Sequence, residues 1–413
     1  MGTYICVVLV IINIFMLVIH SRKAISFFMI CALTAPVARI GSLNLSYDLI
    51  MLMPLILWYL GNRGKLETTT YINKRLLVLF LGVLCLSSLY SVAVINAKFN
   101  QIDLLGYIRF VLYFYMLSRM VSQIDIRKTL YAIVVINFVV IIIELIMPNS
   151  NRFVYELWGK SNANAFNTLY EVKRYPGTFN NVLPASFFML IMFIFSYYYS
   201  SVRTRSKYDM FVCCLSVICG MLNVTKTFLL GFPICFFLMI LFINRFHVRS
   251  KNKNNTLNRV IALIIVLGAA YLMFGYLSNN NYEFARYINL IVNRDVISTR
   301  YGSTGVLNDM FEIFKAHPIF GVGCTVVNGE FVGDSQFVTI LHHTGVSGLL
   351  VFSFFLVSKL VRSYQLHDVI GVVSLLVTIL LGFFGTTFFS ISGIILFICS
   401  STYSNIKHEN TDL

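Results

Sequence analysis

Three cations stand where chemistry with an anion is most readily done, beside turn residues at the edges of long apolar runs. Arg174 opens the segment Arg174-Tyr175-Pro176-Gly177-Thr178-Phe179-Asn180-Asn181, which leads straight into an apolar stretch. Lys226 lies between Thr225 and Thr227 in a very short link between two apolar stretches. Arg300 begins a polar segment that continues through His317-Pro318-Ile319-Phe320-Gly321-Val322-Gly323 to Asp334-Ser335. A planar guanidinium can fork onto a phosphate through two bonds, and a lysine adds a point charge. Such charged hydrogen bonds contribute on the order of 1.5–3 kcal/mol each. A diphosphate at a membrane surface is the natural anion for this set. The plainer alternative is local pairing with acids, as Arg294 could pair with Asp295.

Acids and bases are few around these cations. Asp334 stands at the expected N-cap of the next apolar helix, so it is either a cap or a general base at the membrane surface. His342 and His343 follow two turns later, and either could face a cavity. His317 precedes a proline and orders the turn. Charges inside apolar spans cost roughly 2.5–3.5 kcal/mol at the centre on insertion scales, which makes each one a candidate for function. Arg109 is the clearest, as a fourth cation for a lipid-linked phosphate. Asp48 and Glu144 are expected nearer the interfaces and are its candidate ion-pair partners. No Walker loop, GxGxxG, HExxH, GxSxG or Asp-x-Asp pair occurs. No ATP, nucleotide, metal or other cofactor is therefore expected.

The elements that must position these residues are membrane helices. The chain has 413 residues, 58% hydrophobic and only 12% charged, where a soluble protein carries about 25% charged residues. Apolar runs of bilayer length are placed near 3–19, 24–40, 43–60, 76–95, 104–122, 129–147, 182–200, 210–223, 228–244, 260–277, 336–357, 368–384 and 389–403. The expected fold is an all-α integral membrane protein, one polytopic domain over residues 1–413 with about 12–13 transmembrane helices. The N-terminal run reads as a first span with a basic anchor rather than a cleaved signal. Cys6, Cys31, Cys85, Cys213, Cys214, Cys219, Cys235 and Cys399 fall in apolar runs, and Cys324 is alone in a polar segment. All nine are expected as free thiols.

Charge orients this array. Alternate links, at 20–23, 61–75, 119–128, 201–209, 245–259, 358–368 and the tail, carry 20 Lys+Arg against 6 Asp+Glu. The two long links, 148–181 and 278–335, carry 8 against 8. The positive-inside rule then puts both long links outside the cytoplasm. It also accounts for the net charge of +15 without a nucleic-acid partner. Val306 to Phe314 has helical spacing, so short helices are expected within these external loops.

At this point the residues resemble a family, the Wzy-type O-antigen polymerases, in the superfamily that includes the O-antigen ligases. Arg174-Tyr175-Pro176-Gly177 resembles its Arg-x-x-Gly turn entering a span. Val224-Thr225-Lys226-Thr227-Phe228 resembles its short Ser-Arg turn, with Lys226 where an arginine is usual. The His317–Gly323 segment, Asp334-Ser335 and Gly345-Val346-Ser347-Gly348 together resemble its external-loop signature. Asp334 stands where the ligases tend to have histidine.

The resemblance implies glycosyl transfer on the periplasmic face of the bacterial inner membrane. Donor and acceptor would be oligosaccharides linked to undecaprenyl diphosphate, and a chain-length regulator and membrane lipid would be partners. Arg174, Lys226, Arg300 and, more weakly, Arg109 would hold the diphosphate, with Asp334 first and His342 second as the base. A ligase acting on lipid A-core is the alternative within that chemistry. A lipid-linked-oligosaccharide flippase is the alternative outside it, although the two halves of the chain show no repeat of the kind transporters carry.

Overall fold

A computed structural model describes residues 1–40, 43–62, 73–121, 124–146, 157–158, 173–179, 181–203, 206–246, 255–293, 301, 307–326, 335–385 and 388–399. In chain order come α1 (Gly2–Ile19), α2 (Ser21–Thr34), β1 (Ala38–Ile40), β2 (Leu43–Leu45), α3 (Tyr47–Asn62) and α4 (Lys74–Tyr90). Then follow β3 (Lys98–Phe99), α5 (Gln101–Met120), α6 (Ile126–Ile146), α7 (Val182–Tyr198) and α8 (Lys207–Leu222). Next are α9 (Lys226–Arg245), α10 (Asn255–Asn280), α11 (Tyr282–Val292), α12 (Asn308–Ala316) and β4 (Thr325–Val326). The described chain closes with α13 (Gln336–Gln365), α14 (Val369–Gly382) and a helix over 391–399, α15.

Among the described residues, six helices are long and apolar enough to cross a bilayer: α1, α4 with its continuation to Ile95, α6, α7 with its continuation to Val202, α9 and α13. The protein is thus helical and built for a membrane. Among the described residues, two small antiparallel ribbons, β1–β2 and β3–β4, depart from an all-α chain.

The first ribbon corrects two expected spans. Pro36 biases the residue before it toward extended backbone, and Ala35 sits at φ −72°, ψ 146°. Helix α2 therefore stops at Thr34 instead of running to residue 40. The chain turns back through β1 and β2, pairing Ala38 with Leu45 and Ile40 with Leu43. Helix α3 then starts at Tyr47 rather than at residue 43. The second long link is also more helical than a loop, because α10 reaches Asn280 and α11 follows after one residue.

The chain forms two compact units, residues 1–67 with 119–287 and residues 68–118 with 288–413. In the first, α7 is the central helix. Every residue from Phe187 to Tyr198 is buried, which requires a helix apolar on all sides. Helices α6, α8 and α9 pack on it. Near the start of α6, Arg127 Nε donates to Asp209 Oδ1 (2.9 Å) and the Tyr131 hydroxyl donates to the same oxygen (2.8 Å). That carboxylate is fully buried and is satisfied by charge and hydroxyl together, as buried charges must be.

In the second unit, α13 packs on α4, α12 and α14. The core is aromatic and packed edge to face, with Phe110 and Phe389 centroids 4.7 Å apart and Phe352 and Phe388 5.2 Å apart. Helix α12 forms where the 306–314 spacing predicts one, two residues later. It buries Met310 with Leu307 and Val338.

Candidate anion-binding site

The Arg174 turn is built on polar side chains within an apolar span. Helix α6 presents Asn137 and Glu144 seven residues apart, two turns along one face. Asn137 Oδ1 accepts both the Thr178 amide (2.8 Å) and its hydroxyl (2.9 Å). Glu144 Oε2 accepts the Gly177 amide (3.1 Å). Gly177 has φ +62°, and a Cβ there would lie 2.4 Å from Asn137 Oδ1, so only glycine fits. Glu144 is buried, 7% exposed. Its carboxylate holds this turn. Asp48 is likewise buried, 1% exposed. Burial, with Tyr276 and Glu144 nearby, pushes the Tyr175 phenol up, so this neighbour of Arg174 stays neutral.

Lys226 is the first residue of α9. Thr225 caps that helix by accepting the Phe228 amide (3.1 Å) and donates its own hydroxyl to Ser186 Oγ (2.8 Å). Val224 takes a left-handed conformation, φ 46°, which folds the chain back within three residues of α8. Gly220 makes room, since a Cβ there would overlap the Phe228 ring. A lysine at a helix N-terminus opposes the helix dipole, at about 0.3–1 kcal/mol. This local electrostatic rule is broken at a position the sequence marks for binding.

Hydrogen bonds tie the Arg174 turn to α8 and to α11. The Tyr175 amide donates to the Leu222 carbonyl at the end of α8 (3.1 Å). Asn281 Nδ2 donates to the Lys173 carbonyl (3.1 Å), while Asn281 Oδ1 accepts the Phe284 amide (3.0 Å). Asn281 thereby caps α11 and fixes it against the residue before Arg174.

The result is a cluster of three cations on one ring. Arg174 Cζ lies 5.1 Å from the Tyr287 centroid, Lys226 Nζ 5.2 Å and Arg286 Cζ 5.5 Å. All are within cation–π range. Arg174 and Lys226 are therefore no more than the sum of their two distances apart, 5.1 + 5.2 = 10.3 Å. At an effective dielectric of about 20, their repulsion is about 1.6 kcal/mol or more. A cation–π contact returns roughly 0.5–2 kcal/mol. An anion seated among the three would add attraction to each of them.

The remaining predicted residues divide. Arg300 and Asp334 lie outside the described residues. Arg109 lies midway along α5 in the second unit and is half-buried. The N-cap of α13 is Ser335, whose Oγ faces the Val338 amide, so capping does not fall to Asp334. His342 is 2% exposed, and neither ring nitrogen hydrogen-bonds to a described residue. His343 meets the Tyr107 hydroxyl through Nδ1 (2.8 Å).

The glycine-rich signature of the second unit is a splice between a loop and a helix. Within α13, Gly345 sits at φ 61°, ψ −161°, which breaks the helix. In an unbroken helix Val346 and Ser347 would donate to the carbonyls of His342 and His343. Here they donate to the carbonyls of Pro318 (2.9 Å) and Ile319 (3.2 Å). The carbonyls of His342 and His343 accept instead from Val322 and Gly323, both at 2.8 Å. Gly321 and Gly323 take positive φ because their missing Cβ atoms face backbone of α13 and of α4. The Cys324 amide then donates to Ser88 Oγ (3.0 Å).

Arg286, Tyr287, Asn281 and Asn137 were not singled out by sequence. The one signal available was the spacing of Phe284 and Tyr287, which share the buried face of a helix whose Arg286 is exposed. No protein-family model, no curated protein and no solved structure matches the chain.

Proposed function

We propose that this chain is a Wzy-type polysaccharide polymerase, a multi-pass glycosyltransferase with about 12–13 spans in the bacterial inner membrane. Its donor and acceptor are undecaprenyl-diphosphate-linked oligosaccharides on the periplasmic side. A hydroxyl of the incoming repeat unit attacks the anomeric carbon of the growing chain's reducing-end sugar. A new glycosidic bond forms, the bond to the diphosphate breaks, and undecaprenyl diphosphate leaves with the bonding electrons. A base takes the hydroxyl proton; Asp334 is the first candidate and His342 the second. Arg174 and Lys226, with Arg300 and Arg109 as further candidates, stabilise the charge on the departing diphosphate.

One observation carries this reading. Arg174 and Lys226, chosen from sequence as diphosphate ligands, converge on the same Tyr287 ring although they are 52 residues apart (226 − 174). The test is the surface polysaccharide of a strain lacking the chain, resolved by length. Single repeat units with the ladder gone are the expected result. Loss of all surface glycan with long lipid-linked chains accumulating indicates a ligase, and loss of any external lipid-linked unit indicates a flippase. An unchanged ladder refutes the reading.

A further inference from the structure

We propose that the buried ring of Tyr287 is the positioning element of the anion site, that Arg286 is the site's third cation, and that the ligand class is a diphosphate in preference to a monophosphate. This rests on the anion-site reading above and extends it to residues that the sequence did not mark.

Tyr287 is 8% exposed, and Phe284, one turn earlier on α11, is fully buried. Phe284 packs edge-on against Phe274 of α10, with centroids 5.2 Å apart. The ring is therefore held by the α10–α11 packing, and Asn281 sets the register of α11 against the Arg174 turn. Arginine and lysine side chains are long and rotamer-rich, and three of them near one point repel. An aliphatic residue at position 287 would supply packing without a negative face, so the cations would splay. The tyrosine ring gives all three a common attractive surface before the ligand arrives, and preorganised charge is what makes such a site effective. A diphosphate offers three cations more negative charge and more acceptor oxygens to share than a single phosphate does.

The test uses the purified full-length chain in detergent, titrated calorimetrically with inorganic pyrophosphate and, separately, inorganic phosphate. Wild type is expected to prefer pyrophosphate. Arg286→Gln, at an exposed position, should weaken pyrophosphate about tenfold, a loss of about 1.4 kcal/mol, and leave phosphate within about twofold. Tyr287→Phe keeps the ring and should stay within about twofold of wild type for both ligands. Tyr287→Leu should lose about tenfold for pyrophosphate. Wild-type affinity in Arg286→Gln overturns the proposal, as does equal weakening in Tyr287→Phe and Tyr287→Leu. If Tyr287→Leu does not fold, Arg286→Gln and Tyr287→Phe decide alone. A wild-type protein that binds no pyrophosphate also overturns it. Pyrophosphate binding that follows this pattern, in a protein whose deletion leaves the ladder intact, refutes the polymerase reading and leaves the platform standing.

Discussion

Replacing Gly345 by alanine tests the splice between the His317–Gly323 segment and α13. A Cβ at this position would lie 2.3 Å from the Ile319 carbonyl oxygen and 2.4 Å from its carbon. The chain has two ways to respond. It can keep the break, with alanine at φ 61°, ψ −161°, a region essentially reserved for glycine that costs about 1–3 kcal/mol; the clash adds to this. Or it can close the helix. Closure regains two bonds, from Val346 and Ser347 to the carbonyls of His342 and His343, and gives up the four splice bonds. The net loss of two costs about 1–3 kcal/mol, and the fully buried Val322 amide left unpaired costs about 1–3 more. Keeping the break thus costs about 1–3 kcal/mol plus the clash and closing it about 2–6 kcal/mol, a large part of a typical stability of about 5–15 kcal/mol. Amide hydrogen exchange read by mass spectrometry over residues 317–324 and 340–350 measures it. A loss of 2 kcal/mol accelerates exchange about 30-fold where opening is local. Wild-type protection at Val322 and Gly323 in the alanine variant would refute the argument, because those amides have no second partner in an unbroken helix.

Other predictions concern the first unit and the lone loop cysteine. Arg174→Ala and Lys226→Ala should each insert normally and shorten the polysaccharide ladder, and a full-length ladder from both variants would remove the anion role. Glu144→Leu removes the carboxylate that accepts the Gly177 amide and should destabilise by about 1–3 kcal/mol. Glu144→Gln keeps an acceptor and should lose less, as read by thermal unfolding in detergent; equal loss in the two would mean that charge, not acceptance, is what matters. Burial pushes the Cys324 thiol up to about 12, the nearby Asp103 carboxylate adding to the effect. Its thiolate fraction is therefore negligible at pH 8. N-ethylmaleimide should leave Cys324 unmodified in the folded protein and label it on denaturation, whereas fast labelling of the folded chain would contradict the burial.

The sequence was informative wherever a charge interrupts an apolar run. Arg174 and Lys226 stand out because cations are expensive there, and the structure brings them to one ring. Glu144 stands out for the same reason, yet its partner is a backbone amide that no charge pattern predicts. Tyr287 was hidden because a tyrosine in a polar stretch looks like any other, and its role exists only once α11 is folded against the Arg174 turn. The β1–β2 ribbon was hidden for a related reason: an apolar run of this length reads as a span whether or not a proline breaks it. Gly345 and the His317–Gly323 segment were legible as a pair of motifs. Their exchange of backbone partners was not, since hydrogen bonding between segments about 25 residues apart leaves no periodicity.

The break at Gly345 also acts as a ruler. Helix α13 has 30 residues, about 45 Å at 1.5 Å per residue, half as long again as a hydrocarbon core of about 30 Å. The residues after the break, 346–365, make about 30 Å by themselves. The piece before it is a separate short rod, with its last carbonyls already committed to the loop. The loop divides α13 into one segment of about bilayer length and a shorter one that carries His342 and His343.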